Sequence, residues 1–157
     1  MVIAVLVSPL MVLKPSRRQK HIVALREEAR RLGLQVQIMA NGVTGIGDGY
    51  TPVVRYQLPW LAKDLQGDGF STWLLIRDDG RGETSQWPGW RWFGVAAPQT
   101  EQLAITELVR ELPGNLNGLS IDTQGVGVYW SELGELASVG KIDAILREIS
   151  LSIKRIL

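Results

Sequence analysis

Four cationic or titratable residues cluster in one short segment of this chain: Arg17, Arg18, Lys20 and His21. Ser16 immediately before them and Gln19 three residues later form the capping-box pattern that predicts the start of a helix. Cations there face the positive end of the helix dipole, which costs a few tenths of a kcal/mol each. A bound anion would relieve that cost and accept hydrogen bonds from free backbone N–H groups. The segment therefore indicates a phosphate site, and the alternative is a solvated helix face.

Aromatic and arginine side chains cluster in a second segment, between residues 71 and 95. Tryptophan rings with neighbouring guanidinium groups can stack on bases or on the apolar surface of a partner. The alternative is that the rings belong to the core beneath a helix. The residues predicted to take part in nucleic-acid binding here are Arg81, Trp87, Trp90 and Arg91.

Carboxylates follow two of the predicted strands. If they converge at one end of the sheet, their oxygens suit Mg²⁺, which supports phosphodiester chemistry. The alternative is ordinary turn chemistry, since Asp followed by Gly is typical of turns. The predicted metal ligands are Asp78, Asp79, Glu83 and Asp122. Whether the protein is an enzyme stays open at this point.

A glycine-rich loop at residues 42–49 is a third candidate site, with Gly42, Gly45, Gly47 and Gly49. Exposed amides there could hold the phosphate of a nucleotide or a phosphorylated small molecule. The loop lacks the Lys-Ser or Lys-Thr pair of the nucleotide P-loop, and its glycines do not follow the dinucleotide-binding spacing. A flexible loop explains the same glycines.

Composition restricts the functional classes. The 157 residues predict one domain, residues 1–157, with a sizeable core. The absence of cysteine excludes a thiolate site, and one histidine excludes a multi-histidine metal site within the chain. A net charge of +1 gives no global attraction to nucleic acid, so local clustering must supply it. No segment matches a signal peptide or a membrane span, which predicts a cytoplasmic protein with no membrane association.

Helices and strands must position these side chains. Residues 2–7 and 34–38 are predicted strands flanking the helix that starts after Ser16, which together form a βαβ unit. Thr51 and Pro52 predict a further helix start. Residues 72–76 and 90–95 predict one β-hairpin, and residues 119–122 and 126–130 a second. A helix ending at Pro113 lies between the two hairpins.

The C-terminal segment carries isoleucines at helical spacing: Ile142, Ile145, Ile149, Ile153 and Ile156. The predicted fold class is α/β: a single domain with a mixed sheet of about five to six strands, an N-terminal βαβ unit, two β-hairpins and a C-terminal amphipathic helix. The isoleucine stripe could also mediate homo-oligomer formation.

Three functional hypotheses follow. The leading one is a nucleic-acid-associated protein that binds the phosphate backbone, with Mg²⁺-dependent phosphodiesterase activity as an added prediction. The first alternative is a protein–protein interaction or assembly module that uses the tryptophan-rich hairpin and the C-terminal helix. The second alternative is binding of a phosphorylated small molecule or nucleotide at the glycine loop.

Overall fold

A computed structural model of the chain describes residues 14–39, 46, 52–66 and 71–156. Within these ranges the chain forms three α-helices, one short 3₁₀ helix and seven strands. Their order is α1 (Arg17–Arg31), β1 (Gln35–Ile38), β2 (Val54–Pro59), the 3₁₀ helix (Ala62–Gln66), β3 (Trp73–Arg77), β4 (Glu83–Thr84), β5 (Trp90–Trp92), α2 (Gln99–Arg110), β6 (Leu116–Ile121), β7 (Gly125–Trp130) and α3 (Leu136–Lys154).

The seven described strands form one sheet in the order β1-β2-β7-β6-β3-β5-β4, and each neighbouring pair is antiparallel. The predicted α/β class and the second hairpin, β6 with β7, are confirmed. The strands of the first predicted hairpin, β3 and β5, pair antiparallel as expected, but the two-residue β4 lies between them in the chain. The predicted number of five to six strands is wrong, because β2 and the two-residue β4 add to those expected. The predicted mixed sheet is also wrong for the described strands. The first strand of the predicted βαβ unit, residues 2–7, lies outside the described residues.

β2 replaces the helix predicted to start at Thr51 and Pro52. Val54 and Tyr56 point to one face of the sheet, and Arg55 and Gln57 point to the other, as a strand requires. As a strand, β2 buries side chains on both faces of the sheet. This burial outweighs the local helix-start signal at Thr51 and Pro52.

α1 begins and ends where the sequence predicts. The Ser16 hydroxyl accepts the backbone N–H of Gln19 at 3.1 Å, and the Gln19 side-chain oxygen accepts the Ser16 N–H at 2.7 Å. Gly33 follows the helix with φ +87°, a conformation that favours glycine at a helix C-terminus. Leu25 and Ala29 are the buried residues of α1 and face the sheet.

The three helices pack on one face of the sheet and share its main apolar core. α3 contacts both α1 and α2, and it lies over β2 and β7. Ile142, Ile149 and Ile153 of its stripe are fully buried, whereas Ile156 is exposed. Most of the stripe therefore packs against the sheet. No described helix has the length and apolar content that crossing a lipid bilayer demands.

One end of this sheet, which we call the upper end, carries most of the predicted site residues. Trp130 at the end of β7 is paired with Val54 and with Leu116, the first residues of β2 and β6. Arg77 at the end of β3 donates from Nε to the Leu116 carbonyl at 3.0 Å. The segments that follow β3 and β7 therefore leave the sheet at the same end.

Candidate functional site

The start of α1 is attached to the segment that follows β7, at the upper end. His21 Nε2 donates a hydrogen bond to the backbone carbonyl of Gly134 at 2.8 Å. This contact gives His21 a positioning role. Its predicted part in nucleic-acid binding stays a prediction.

An ion pair between the partly exposed Arg26 and the buried Glu132 fixes the next turn of α1. Arg26 donates from Nε and Nη2 to the two carboxylate oxygens of Glu132 at 2.9 and 2.7 Å. The Tyr56 hydroxyl donates to the same carboxylate at 2.9 Å. Burial, together with the neighbouring charge of Glu132, raises the pKa of the Tyr56 phenol, so this donor keeps its proton. The carboxylate of Glu132 is thus occupied by α1 and β2 and does not neutralise the helix start.

The three cations of that start, Arg17, Arg18 and Lys20, are called the α1 cations below. All three side chains are exposed, and the first turn of α1 contains no acidic residue. None of the ion pairs between described residues includes them. In the last turn of the same helix, by contrast, Arg31 is paired with Glu28 at 2.6 Å. The α1 cations are therefore exposed and unpaired within the described chain.

The second group of predicted cations lies in the β3–β5 loop, residues 78–89, and in β5. Arg81 is ion-paired with Asp79, and this hydrogen bond holds the pKa of the Asp79 carboxyl below its usual value. Arg91 donates to the backbone carbonyls of Arg81 and Gly82 at 2.9 and 2.8 Å, and lies 3.8 Å from Asp78. Both guanidinium groups are thus engaged by the loop itself.

Trp87 and Trp90 belong to the core, as in the alternative interpretation of these rings, so neither ring is free to stack on a base. They are only 3% and 5% exposed. The Trp87 ring packs 5.6 Å from the Trp92 ring, and the Arg77 guanidinium lies 4.0 Å from the centre of the Trp90 ring. Because α2 and the strand residues share one core on this face, the rings fill space inside the protein.

The four predicted metal ligands do not converge. Asp78 and Asp79 follow β3 at the upper end, whereas Asp122 follows β6 at the opposite end, because the two strands are antiparallel. Asp122 is ion-paired with Arg55 at 2.7 Å and accepts the backbone N–H of Gln124 at 2.8 Å. No group of three or more candidate ligands occurs among the described residues. The predicted joint Mg²⁺ site of Asp78, Asp79, Glu83 and Asp122 is therefore wrong.

The α1 start and the β3–β5 loop share an end of the sheet without forming one patch. α1 packs against β1, and five strand spacings separate β1 from β5. At about 4.8 Å per spacing this is about 24 Å. The two regions therefore lie over different parts of the sheet.

The glycine loop, the tryptophan hairpin and the isoleucine stripe do not form an exposed site among the described residues. Residues 42–49 of the glycine loop lie outside the described residues, except for Ile46, which is buried. The tryptophan hairpin and the isoleucine stripe, on which the protein-interaction hypothesis rested, contribute mainly to the core. A protein partner and a homo-oligomer stay predictions.

Sequence reasoning missed the network that positions α1. Arg26 and Glu132 lie 106 residues apart, and no local pattern links them. The helix predicted to start at Thr51 and Pro52 also concealed Tyr56 as a strand residue facing this pair. The alternation across β2 was the one signal that could have indicated it.

Comparison of this chain with protein-family models, with curated proteins and with solved structures finds no match. Function must therefore be argued from the geometry of these sites alone.

Proposed function

We propose that this protein associates with nucleic acid by binding backbone phosphates at the start of α1. The observation that supports this most directly is the exposure of the α1 cations without a carboxylate partner in the described chain. A phosphate would compensate charges that the helix dipole opposes. Trp87 and Trp90 are buried and take no part in this binding, and the separated carboxylates contribute no metal-dependent reaction.

Backbone amides add to these charges. The first turn of an α-helix leaves N–H groups without partners inside the helix, and these point outward along its axis. The Ser16 hydroxyl takes the N–H of Gln19, which leaves the amides of Arg17 and Arg18 facing outward. Amides and cations would together contact one or two adjacent phosphates.

Binding of this kind is independent of sequence. Phosphate contacts fix position without reading base edges, and the arginines and tryptophans predicted to add contacts are engaged elsewhere. We therefore expect similar affinities for unrelated sequences of equal length. If each α1 cation neutralises one phosphate, the logarithm of the affinity for duplex DNA falls with the logarithm of salt with a slope of about −2.7.

Fluorescence anisotropy with labelled single-stranded and duplex oligonucleotides tests the proposal. We expect saturable binding at low salt that weakens with the slope given above. A matched control oligonucleotide with an uncharged methylphosphonate backbone should not bind. The proposal is wrong if the charged oligonucleotides do not bind at low salt, or if the uncharged one binds equally well.

A further inference from the structure

The sheet face opposite the helices carries a buried polar cluster at its centre. Arg55 and Gln57 of β2 and Ser120 of β6 are 4%, 0% and 4% exposed. Arg55 Nε, Gln57 Nε2 and Ser120 Oγ are each buried and have no hydrogen-bond partner in the described chain. Three orphaned polar atoms in one place are unusual, since each unsatisfied buried group costs about 1–3 kcal/mol.

These atoms surround Gly127. In the register of the sheet, Gly127 stands between Gln57 on β2 and Ser120 on β6, so the three residues form one cross-strand row. The Arg55 side chain lies directly over Gly127, because a Cβ there would overlap Nε and come within 3.1 Å of Cζ. The orphaned groups of Gln57 and Ser120 thus flank the guanidinium. We call Arg55, Gln57, Ser120 and Gly127 the Gly127 cluster.

The charge of the cluster is only partly balanced. Arg55 Nη2 donates to Asp122 Oδ2 at 2.7 Å, but the Asp122 side chain is 27% exposed whereas that of Arg55 is 5% exposed. Asp122 Oδ1 also accepts the backbone N–H groups of Gln124 and Gly125, at 2.8 and 3.1 Å. The carboxylate charge is therefore shared with other donors and with solvent, while the guanidinium stays buried.

The missing partner is a hydrogen-bond acceptor. The Nε–H of arginine and the amide NH₂ of glutamine can only donate, and the serine hydroxyl can donate as well. Gln57 Oε1 already accepts from Gln37 Nε2 at 3.1 Å, which directs the NH₂ group away from Gln37. Donors beside a buried guanidinium favour an oxyanion over a neutral or cationic group.

We propose that the Gly127 cluster binds a small oxyanion, a carboxylate or a phosphate group, through Arg55, Gln57 and Ser120. The absence of a side chain at Gly127 leaves the guanidinium lying flat on the sheet beside the other two donors. The site is separate from the α1 start, since α1 packs on the opposite face.

Nuclear magnetic resonance of ¹⁵N-labelled protein tests the site directly. The probes are sodium phosphate, sodium acetate and neutral acetamide, with sodium chloride at matched ionic strength. The protein carries Arg17→Gln, Arg18→Gln and Lys20→Gln, so that the α1 start cannot contribute. We expect saturable shifts of the Arg55 Nε–H, the Gln57 NH₂ and the Gly127 amide with phosphate or acetate.

The two anions distinguish the sources of the ligand. A preference for acetate indicates a carboxylate ligand, and a preference for phosphate indicates a phosphorylated one. Equal shifts with acetamide, or no shift beyond that with chloride, would overturn the proposal.

The variant Gln57→Leu/Ser120→Ala separates a ligand site from an unused polar cluster. Without anion it should be about as stable as the parent, because the removal of two orphaned groups offsets the loss of the hydrogen bond from Gln37. It should bind the preferred anion about tenfold more weakly. Gln35→Leu, an exposed glutamine on the same face, is the matched control and should bind like the parent. Unchanged anion affinity in the double variant would also overturn the proposal. If the double variant does not fold, the titration of the parent protein, which carries only the three α1 substitutions, still tests the site.

Discussion

Two arginine-bearing regions lie at the upper end of the sheet and differ in what their charges contact. The α1 cations are exposed and have no ion-pair partner in the described chain. In the β3–β5 loop, Arg81 and Arg91 are held by Asp79, by Asp78 and by backbone carbonyls of the loop. Equal residue types thus give an open cationic surface in one region and a closed turn in the other.

The difference teaches that nearby acceptors decide whether an arginine can receive a ligand. The loop places a carboxylate two residues before Arg81. Near the α1 start, the buried carboxylate of Glu132 is occupied by Arg26 and Tyr56. A cluster of cations in a sequence therefore predicts binding only when the carboxylates around it are assigned to other partners.

Loss of the Glu132 carboxylate should have the largest effect on stability. It tests whether the contacts of Glu132 hold α1, and with it the α1 cations, in place. Glu132→Ala leaves Arg26 and the Tyr56 hydroxyl without their shared acceptor. We expect the free energy of unfolding to fall by about 3 kcal/mol or more, as for other broken buried pairs. Urea denaturation measures it. Glu28→Ala removes the partner of the exposed Arg31 and should change stability by less than about 1 kcal/mol. Equal losses in the two variants would contradict the anchoring role of Glu132.

Gly82→Ala should have the next largest effect and tests the rigidity of the β3–β5 loop. Gly82 has φ +75°, and a Cβ there would overlap the backbone oxygen of Trp92. We expect a loss of about 2–4 kcal/mol in thermal or urea denaturation. Gly80→Ala is the matched control, because its φ is +85° but no atom lies within 4 Å of the added carbon. It should cost only about 1–2 kcal/mol, and a cost at Gly82 no greater than this would contradict the close packing.

Removing the carboxylates next to the loop arginines should have a smaller effect. It tests whether these carboxylates cause the difference between the two regions. Asp78→Asn/Asp79→Asn removes the carboxylates paired with Arg81 and Arg91, while the backbone carbonyls of Arg81 and Gly82 still hold Arg91. If those carboxylates keep the arginines from phosphate, oligonucleotide affinity should rise about two- to fivefold in anisotropy at low salt. Glu27→Gln/Glu148→Gln changes the net charge equally at exposed positions away from the loop. A similar rise in both variants would show that net charge alone is responsible.

Features set by neighbouring residues could be predicted from the sequence. The capping box of Ser16 and Gln19, the glycine after α1 and the second hairpin all depend on contacts within a few residues. The burial of Trp87 and Trp90 could not be predicted, since alternation shows which residues share a face but not what covers that face. The same limit applies to the carboxylates: Asp78 and Asp122 each follow a strand, yet the antiparallel order of β3 and β6 places them at opposite ends.

β2 shows a second limit. The Thr51 and Pro52 pair is a local helix-start signal, whereas the pairing of β2 with β1 and β7 is a long-range property. Arg55 and Gln57 are polar residues in a strand that is buried on both faces, and no local pattern predicts their burial. The ion-pair partner of Arg55, Asp122, is 67 residues away, beyond the reach of any local pattern.

The most direct test of the account compares two triple variants with equal net charge. One is Arg17→Gln/Arg18→Gln/Lys20→Gln. The other, the control, is Arg30→Gln/Lys63→Gln/Arg155→Gln, which removes exposed cations from the end of α1, the 3₁₀ helix and the end of α3.

Duplex affinity is measured by anisotropy for both variants across a salt series. The account predicts that the α1 variant binds about 100-fold more weakly at low salt and loses most of its salt dependence, whereas the control stays within about threefold of the parent. Equal weakening of both variants, or no weakening of the α1 variant, would contradict phosphate binding at the start of α1.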